Sequence, residues 1–334
     1  MRAVVFVRVG DPAEVLQVRE VDRPTPGRGE VLVRMIASPV NPSDLMYVRG
    51  EYGLRPSFPA TPGFEGVGIV EATGGGLLGW LRKGKRVAVV NDRRGNWGEY
   101  AVTTARQVIP VPADIPDAQA ATFFVNPLTA IALTQHVLKV PPGGWLLQTA
   151  AAGALGKMIV RLGRKFGFRT FNVVRHEKQI AELKALGADA VVLATDDLPA
   201  RVKEITGIDG VPCAIDPVGG ELASRVLQCL APGGRLIVFG SLSGQPIQFD
   251  SRHLIANDLR IESFWLGRWA KQQRIPRMLG LFKQVRSLMR EGVLTTEAVE
   301  VFPLDRVQDA VTRAGSPGAG KVLIGIDTNR AILT

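Results

Sequence analysis

Residues 144–175 read GWLLQTAAAGALGKMIVRLGRKFGFRTFNVVR, and the reading of the whole chain turns on them. The apolar run GWLLQTA (144–150) closes on small residues. A glycine-punctuated turn follows, then LGKMIVRLGRKFG with helical spacing, then the strand-like FRTFNVV. A strand, a helix and a second strand in that order form the repeating unit of a parallel sheet.

Working outward, the pattern continues. Helices are expected near 177–186, 198–206 and 221–230, followed by the strands AVVL, PCAID and RLIVFG. Such alternation implies a doubly wound parallel sheet covered on both faces, with right-handed crossovers. Upstream, RAVVFVRV, VLQVREV, VLVRMIAS, GVGIVEAT, RVAVV and YAVTT are separated by turn-rich PTPGRGE, RPSFPATPG, GGGLLGW and NDRRGNWG. That is a mostly antiparallel, barrel-like domain. After 265 come the helix LGLFKQVRSLMR, a strand near VEVFP, the helix DRVQDAVTRA and a closing strand VLIGI, which look like a return to the first domain. The expected division is 1–122, 123–264 and 265–334, in the α/β class.

A chain of 334 residues is long enough for two cores. Cys213 and Cys229 are its only cysteines, too few for a disulfide framework or a zinc ribbon, so a reducing cytoplasm is expected. MRAVVFVRVG lacks the pattern of a signal peptide, and no apolar run reaches the roughly 20 residues of a membrane span. The net charge of +10 is spread along the chain, so nucleic acid is not expected; the excess favours acidic small ligands or an acidic carrier.

The turn after GWLLQTA runs Ala151-x-Gly153-x-x-Gly156, a dinucleotide fingerprint whose first glycine is replaced by alanine. Gly153 would let backbone approach a pyrophosphate. Gly156 would let the helix pack on the strand. Ala154 and Leu155 between them would open the helix, whose N–H groups suit a diphosphate. Nineteen residues after Gly156 stands Arg175, where an NAD site places an acid for the ribose hydroxyl. A guanidinium there suits a 2′-phosphate, so NADPH is the expected cofactor, although Glu177 opposes a phosphate.

These features together resemble the medium-chain dehydrogenase/reductase superfamily over almost the whole chain. The resemblance implies a GroES-like first domain and a Rossmann second domain. Zinc members carry a Cys-bearing turn and a Gly-His-Glu motif. Here the corresponding stretches are Asn41-Pro42-Ser43-Asp44 and Gly63-Phe64-Glu65, and His136, His176 and His253 are the only histidines. A zinc-free reductase is expected, acting on a carbon–carbon double bond already activated by a carbonyl.

NPSDLMYVRGEYG (41–53), VNPLTA (125–130), NVVR (172–175) and SFWLGRW (263–269) are similar to mitochondrial-type 2-enoyl thioester reductases. This resemblance makes Tyr52 the catalytic residue, with Tyr47 as a packing neighbour. A phenol can donate a hydrogen bond to a developing enolate oxygen. Asn126 matches a cofactor-contacting position and also reads as the cap of a helix starting at Pro127. Phe239-Gly240-Ser241-Leu242, Phe264-Trp265-Leu266, His176 and Lys321 complete the expected cofactor set, although a lone lysine ordinarily reads as solvated. The family also implies a homodimer along the sheet edge near 259–265 and a substrate carried on CoA or acyl carrier protein in fatty-acid metabolism. Two alternatives stay open at this point: a quinone or enone reductase on the same scaffold, and a polyanion-binding protein that keeps the fold without the chemistry.

Overall fold

The structure, a computed structural model, describes residues 1–297, 299–316 and 318–327. These residues form two compact units: Met1–Val125 with the described residues from Thr295 on, and Asn126–Leu294.

In the first unit β1 (Arg2–Val5) and β2 (Gln17–Glu20) make a small antiparallel pair. The main sheet is built on β3 (Glu30–Pro39), the longest strand, whose residues from Val31 inward are almost all buried. Along one edge β3 pairs with β4 (Glu65–Thr73), which in turn pairs with β5 (Arg86–Val90) and through it β7 (Val108–Pro110). The beginning of its other edge takes β6 (Tyr100–Thr104). The antiparallel ladders place Val31, Val33 and Met35 in one core with Val70, Val87 and Val89. This is the period of two that alternates sides of a sheet.

The second unit contains β8 (Trp145–Gln148), β9 (Arg169–Val174), β10 (Ala190–Leu193), β11 (Val211–Asp216), β12 (Leu230–Val238) and β13 (Arg260–Ser263). All are parallel, in the order β10-β9-β8-β11-β12-β13. Burial on both faces explains the uninterrupted apolar runs. Phe171 and Val173 of β9 enter one core, whereas Val174 enters another. The chain reverses its direction of winding between β8 and β11, the place where such sheets bind ligands.

The described chain closes the first unit with β14 (Val299–Pro303) and β15 (Lys321–Gly325), a parallel pair, and β15 then pairs antiparallel with the last third of β3. The helices Leu266–Lys271 and Ile275–Arg290 belong to the second unit, not to the returning segment as the sequence suggests. Gln284 donates to Gln135 and Lys165 pairs with Glu291, all within that unit.

Two stretches not expected to be helical are helices. Pro42–Arg49 has proline in its first turn, and Gly50 ends it in the left-handed conformation at φ 77°. Leu77–Arg82 follows the glycines 74–76. Runs of this length carry too few apolar repeats for periodicity to reveal them.

The turn that opened the reading is drawn tight around one glycine. A Cβ on Gly156 would lie 2.2 Å from the Ala151 carbonyl oxygen, and Gln148 donates to the Gly156 carbonyl (3.1 Å) and to Asn172 (2.7 Å). Gly156→Ala should therefore destabilise the second unit by about 2 kcal/mol, seen as a lower thermal midpoint; an unchanged midpoint would contradict the packing described.

Candidate functional site

Each unit carries its own set of candidate residues. In the second, the helix Ala154–Phe166 begins at Gly153, and Ala154 and Leu155 stand half-buried in its first turn at the carboxyl end of β8. At the neighbouring end of β11, the Asp216 carboxylate accepts from the Thr149 hydroxyl and from the N–H groups of Val218 (3.1 Å) and Gly219 (2.6 Å). Burial pushes its acidity down, and these three donors oppose that effect. This pair, missed in the sequence, holds the two strand ends that flank the switch point.

Arg175 and His176 follow β9 and are exposed, with their backbone N–H groups on Gln179 (3.2 and 3.1 Å). Among the described residues the Arg175 guanidinium has no ion-pair partner. Phe239 donates its N–H to the Asp216 carbonyl (2.9 Å), and Leu242 donates to Pro217 (3.0 Å). Phe239, Gly240, Ser241 and Leu242 are thus laid along the ends of β11 and β12, with Leu242 exposed. Phe264 and Leu266 are buried and Trp265 half-buried just past β13. A dinucleotide fits these residues. The first turn of the helix offers N–H groups, Arg175 an unengaged cation, and residues 239–242 a backbone edge at the switch point.

Asn126 is not a cap. The helix runs Val125–Ile131, with Asn126 half-buried in its first turn. The N–H groups of Phe124 (3.1 Å) and Val125 (2.8 Å) instead meet the Glu65 carboxylate, which comes from β4. Local capping rules cannot see a cap supplied from sixty residues away.

In the first unit Tyr47 and Tyr52 sit in different settings. Tyr47 is buried on the helix Pro42–Arg49, edge-on to Phe6 (5.7 Å) and Phe64 (5.5 Å), and burial raises its phenol pKa. Tyr52 follows the Gly50 cap, half-buried, with its ring 5.1 Å from that of Phe64. Phe64, at the position of the zinc members' histidine, is the surface on which the Tyr52 ring rests. The sequence offered no signal for that role beyond the missing histidine.

Behind Phe64 lies a buried charged cluster. The Asp44 carboxylate accepts from the N–H groups of Asn41 (2.8 Å) and Phe64 (2.9 Å). The Asn41 amide donates to Glu65 (3.0 Å) and accepts from the ammonium of Lys321. Lys321 is only 7% exposed, so its reading as a solvated lysine is corrected. The β3–β15 register sets Leu323 opposite Pro39, and Val40 donates to Val322, which brings residue 321 beside residue 41. Burial raises the pKa values of Asp44, to about 7, and of Glu65, and lowers that of Lys321; the mutual attraction opposes each shift.

The first unit has no cysteine or histidine, and its two site carboxylates are already hydrogen-bonded, so these residues do not fit a zinc ion. Among the described residues no group of three or more potential metal ligands gathers anywhere.

Asp44 keeps its proton to higher pH in the folded than in the unfolded chain. Its contribution to stability is therefore full below about pH 4 and is lost as pH rises toward 7. Asp44→Asn should flatten that part of the stability profile and cost about 2 kcal/mol by leaving one N–H without an acceptor; denaturant midpoints measured across this range check both effects.

The chain also matches known proteins. The family model described as alcohol dehydrogenase GroES-like domain covers residues 27–113, and the one described as zinc-binding dehydrogenase covers 154–284. The rat mitochondrial enoyl-[acyl-carrier-protein] reductase is 34% identical over 322 residues, covering 95% of this chain and 86% of its own. A putative NADPH:quinone reductase from Bacillus thuringiensis superposes with a TM-score of 0.89 at 31% identity, over 97% of this chain and 98% of that one. The Etr1p complex with NADP and crotonyl-CoA gives 0.82 at 26% identity, over 97% and 99%. With its GroES-like unit, its Rossmann unit and relatives of this closeness, the chain belongs to the medium-chain dehydrogenase/reductase superfamily, in the branch of enoyl thioester and quinone reductases.

Proposed function

We propose that the protein reduces the carbon–carbon double bond of trans-2-enoyl thioesters, carried on CoA or acyl carrier protein, with NADPH as reductant. The observation that carries this reading is Tyr52: its ring lies on Phe64, in the turn just past a capped helix that the buried cluster anchors. The quinone reductase likeness supports the scaffold and the cofactor equally well.

When bound, the nicotinamide supplies a hydride. Arg175, exposed and without an ion-pair partner among the described residues, would hold the 2′-phosphate, with His176 next to it in the chain. Gly153, Ala154, Leu155 and Gly156 would take the diphosphate, and Asn126 with residues 239–242 and 264–266 would hold the nicotinamide end. Tyr52 donates a hydrogen bond to the thioester oxygen, where negative charge develops as the β carbon is reduced. Its proton passes to the α carbon, and the phenolate left behind takes a proton from water. Lys321 is not assigned to the cofactor, because its ammonium is held by Asn41. We place the pairing of two chains along β13, an edge strand of the parallel sheet.

Replacing Tyr52 with phenylalanine should lower kcat for crotonyl-CoA by about a hundredfold while quinone turnover changes little; equal loss on both substrates, or none, would sink the assignment. Arg175→Ala should raise the KM for NADPH at least about tenfold and leave that for NADH nearly unchanged, as read by NADPH and NADH oxidation.

A further inference from the structure

The helix Leu77–Arg82, between β4 and β5, wears its apolar face outward. Its inner side is already used. A Cβ on Gly79 would lie 2.3 Å from the Thr73 hydroxyl, and Leu78 packs on the core of the first unit. Leu77, Trp80 and Leu81, at i, i+3 and i+4, share the opposite side and are 78%, 75% and 56% exposed. An ordinary surface helix buries such a stripe.

Basic side chains follow it directly. Lys83 and Lys85 are exposed and have no ion-pair partner among the described residues. Glu71, on β4, is held by Arg23 and Arg34 and so does not neutralise them. We propose that this helix is a membrane-contacting element that adsorbs reversibly to anionic lipid surfaces. Leu77, Trp80 and Leu81 would enter the headgroup boundary, with Lys83 and Lys85 on the lipid phosphates.

Size argues for lipid over a protein partner. Three side chains fall well short of the roughly 800 Å² per side of a stable protein interface. They do suffice for weak adsorption, in which apolar area and electrostatic attraction add. Tryptophan is the residue most at home at that boundary. The overall charge of +10 steers the chain toward anionic surfaces. The inference does not depend on which substrate the protein reduces.

Co-sedimentation of the full chain with vesicles tests it. The protein should pellet with phosphatidylcholine mixed with phosphatidylglycerol, and much less with phosphatidylcholine alone or at high salt. Trp80→Ser should weaken binding about tenfold, and Lys83→Gln and Lys85→Gln about fivefold each, without loss of NADPH oxidation. Three results would overturn the proposal: no pelleting with the mixed vesicles, equal pelleting of wild type and Trp80→Ser, or a dimer in sedimentation velocity that Trp80→Ser converts to monomer, which would make the stripe a face between two copies.

Discussion

One side-chain amide, that of Asn41, stands between a buried carboxylate and a buried ammonium and gives each what it needs. Taking Glu65 and Lys321 out of water costs several kcal/mol per ion, and attraction recovers this only where the remaining polar atoms are satisfied. The two carboxylates meet that condition. Glu65 spends its second oxygen on the N–H groups of Phe124 and Val125, and Asp44 spends both of its oxygens on Asn41 and Phe64. The start of the tyrosine-bearing segment, the loop with Phe64, the entry to the helix Val125–Ile131 and β15 are thereby tied to one another.

That arrangement also fills the place that the resemblance to the superfamily's zinc members would assign to a metal. Charge balance comes from Lys321, and the geometry of the loop from carboxylates that accept backbone N–H groups. Phe64 then offers the Tyr52 ring an apolar seat.

What could be read in advance follows the range of the forces involved. The parallel sheet was legible, because each strand, helix and glycine turn is written in a few neighbouring residues, and GWLLQTA to NVVR contains its own punctuation. Tyr52 stood out only through the resemblance of its stretch, since one tyrosine in a turn has no periodicity to betray it. The buried cluster was not legible: residues 41, 44, 65 and 321 meet through strand register, and each alone looks like a surface polar residue. The same holds for Thr149 with Asp216. The helices Pro42–Arg49 and Leu77–Arg82 were hidden by brevity, and the division near 295 by a long helix whose partners lie far back in the chain.

The order in which the chain is made gives the long strand β3 a further meaning. One edge of its final residues, Ala37–Pro39, has no ladder partner until β15, residues 321–325, has left the ribosome, whereas the second unit is one continuous stretch, 126–294. The inserted unit can complete its sheet first, while the N-terminal unit waits with Asp44 and Glu65 lacking their cation. Lys321 thus acts as the closing piece of synthesis: its arrival both zips the last strand and neutralises the interior that forms around it.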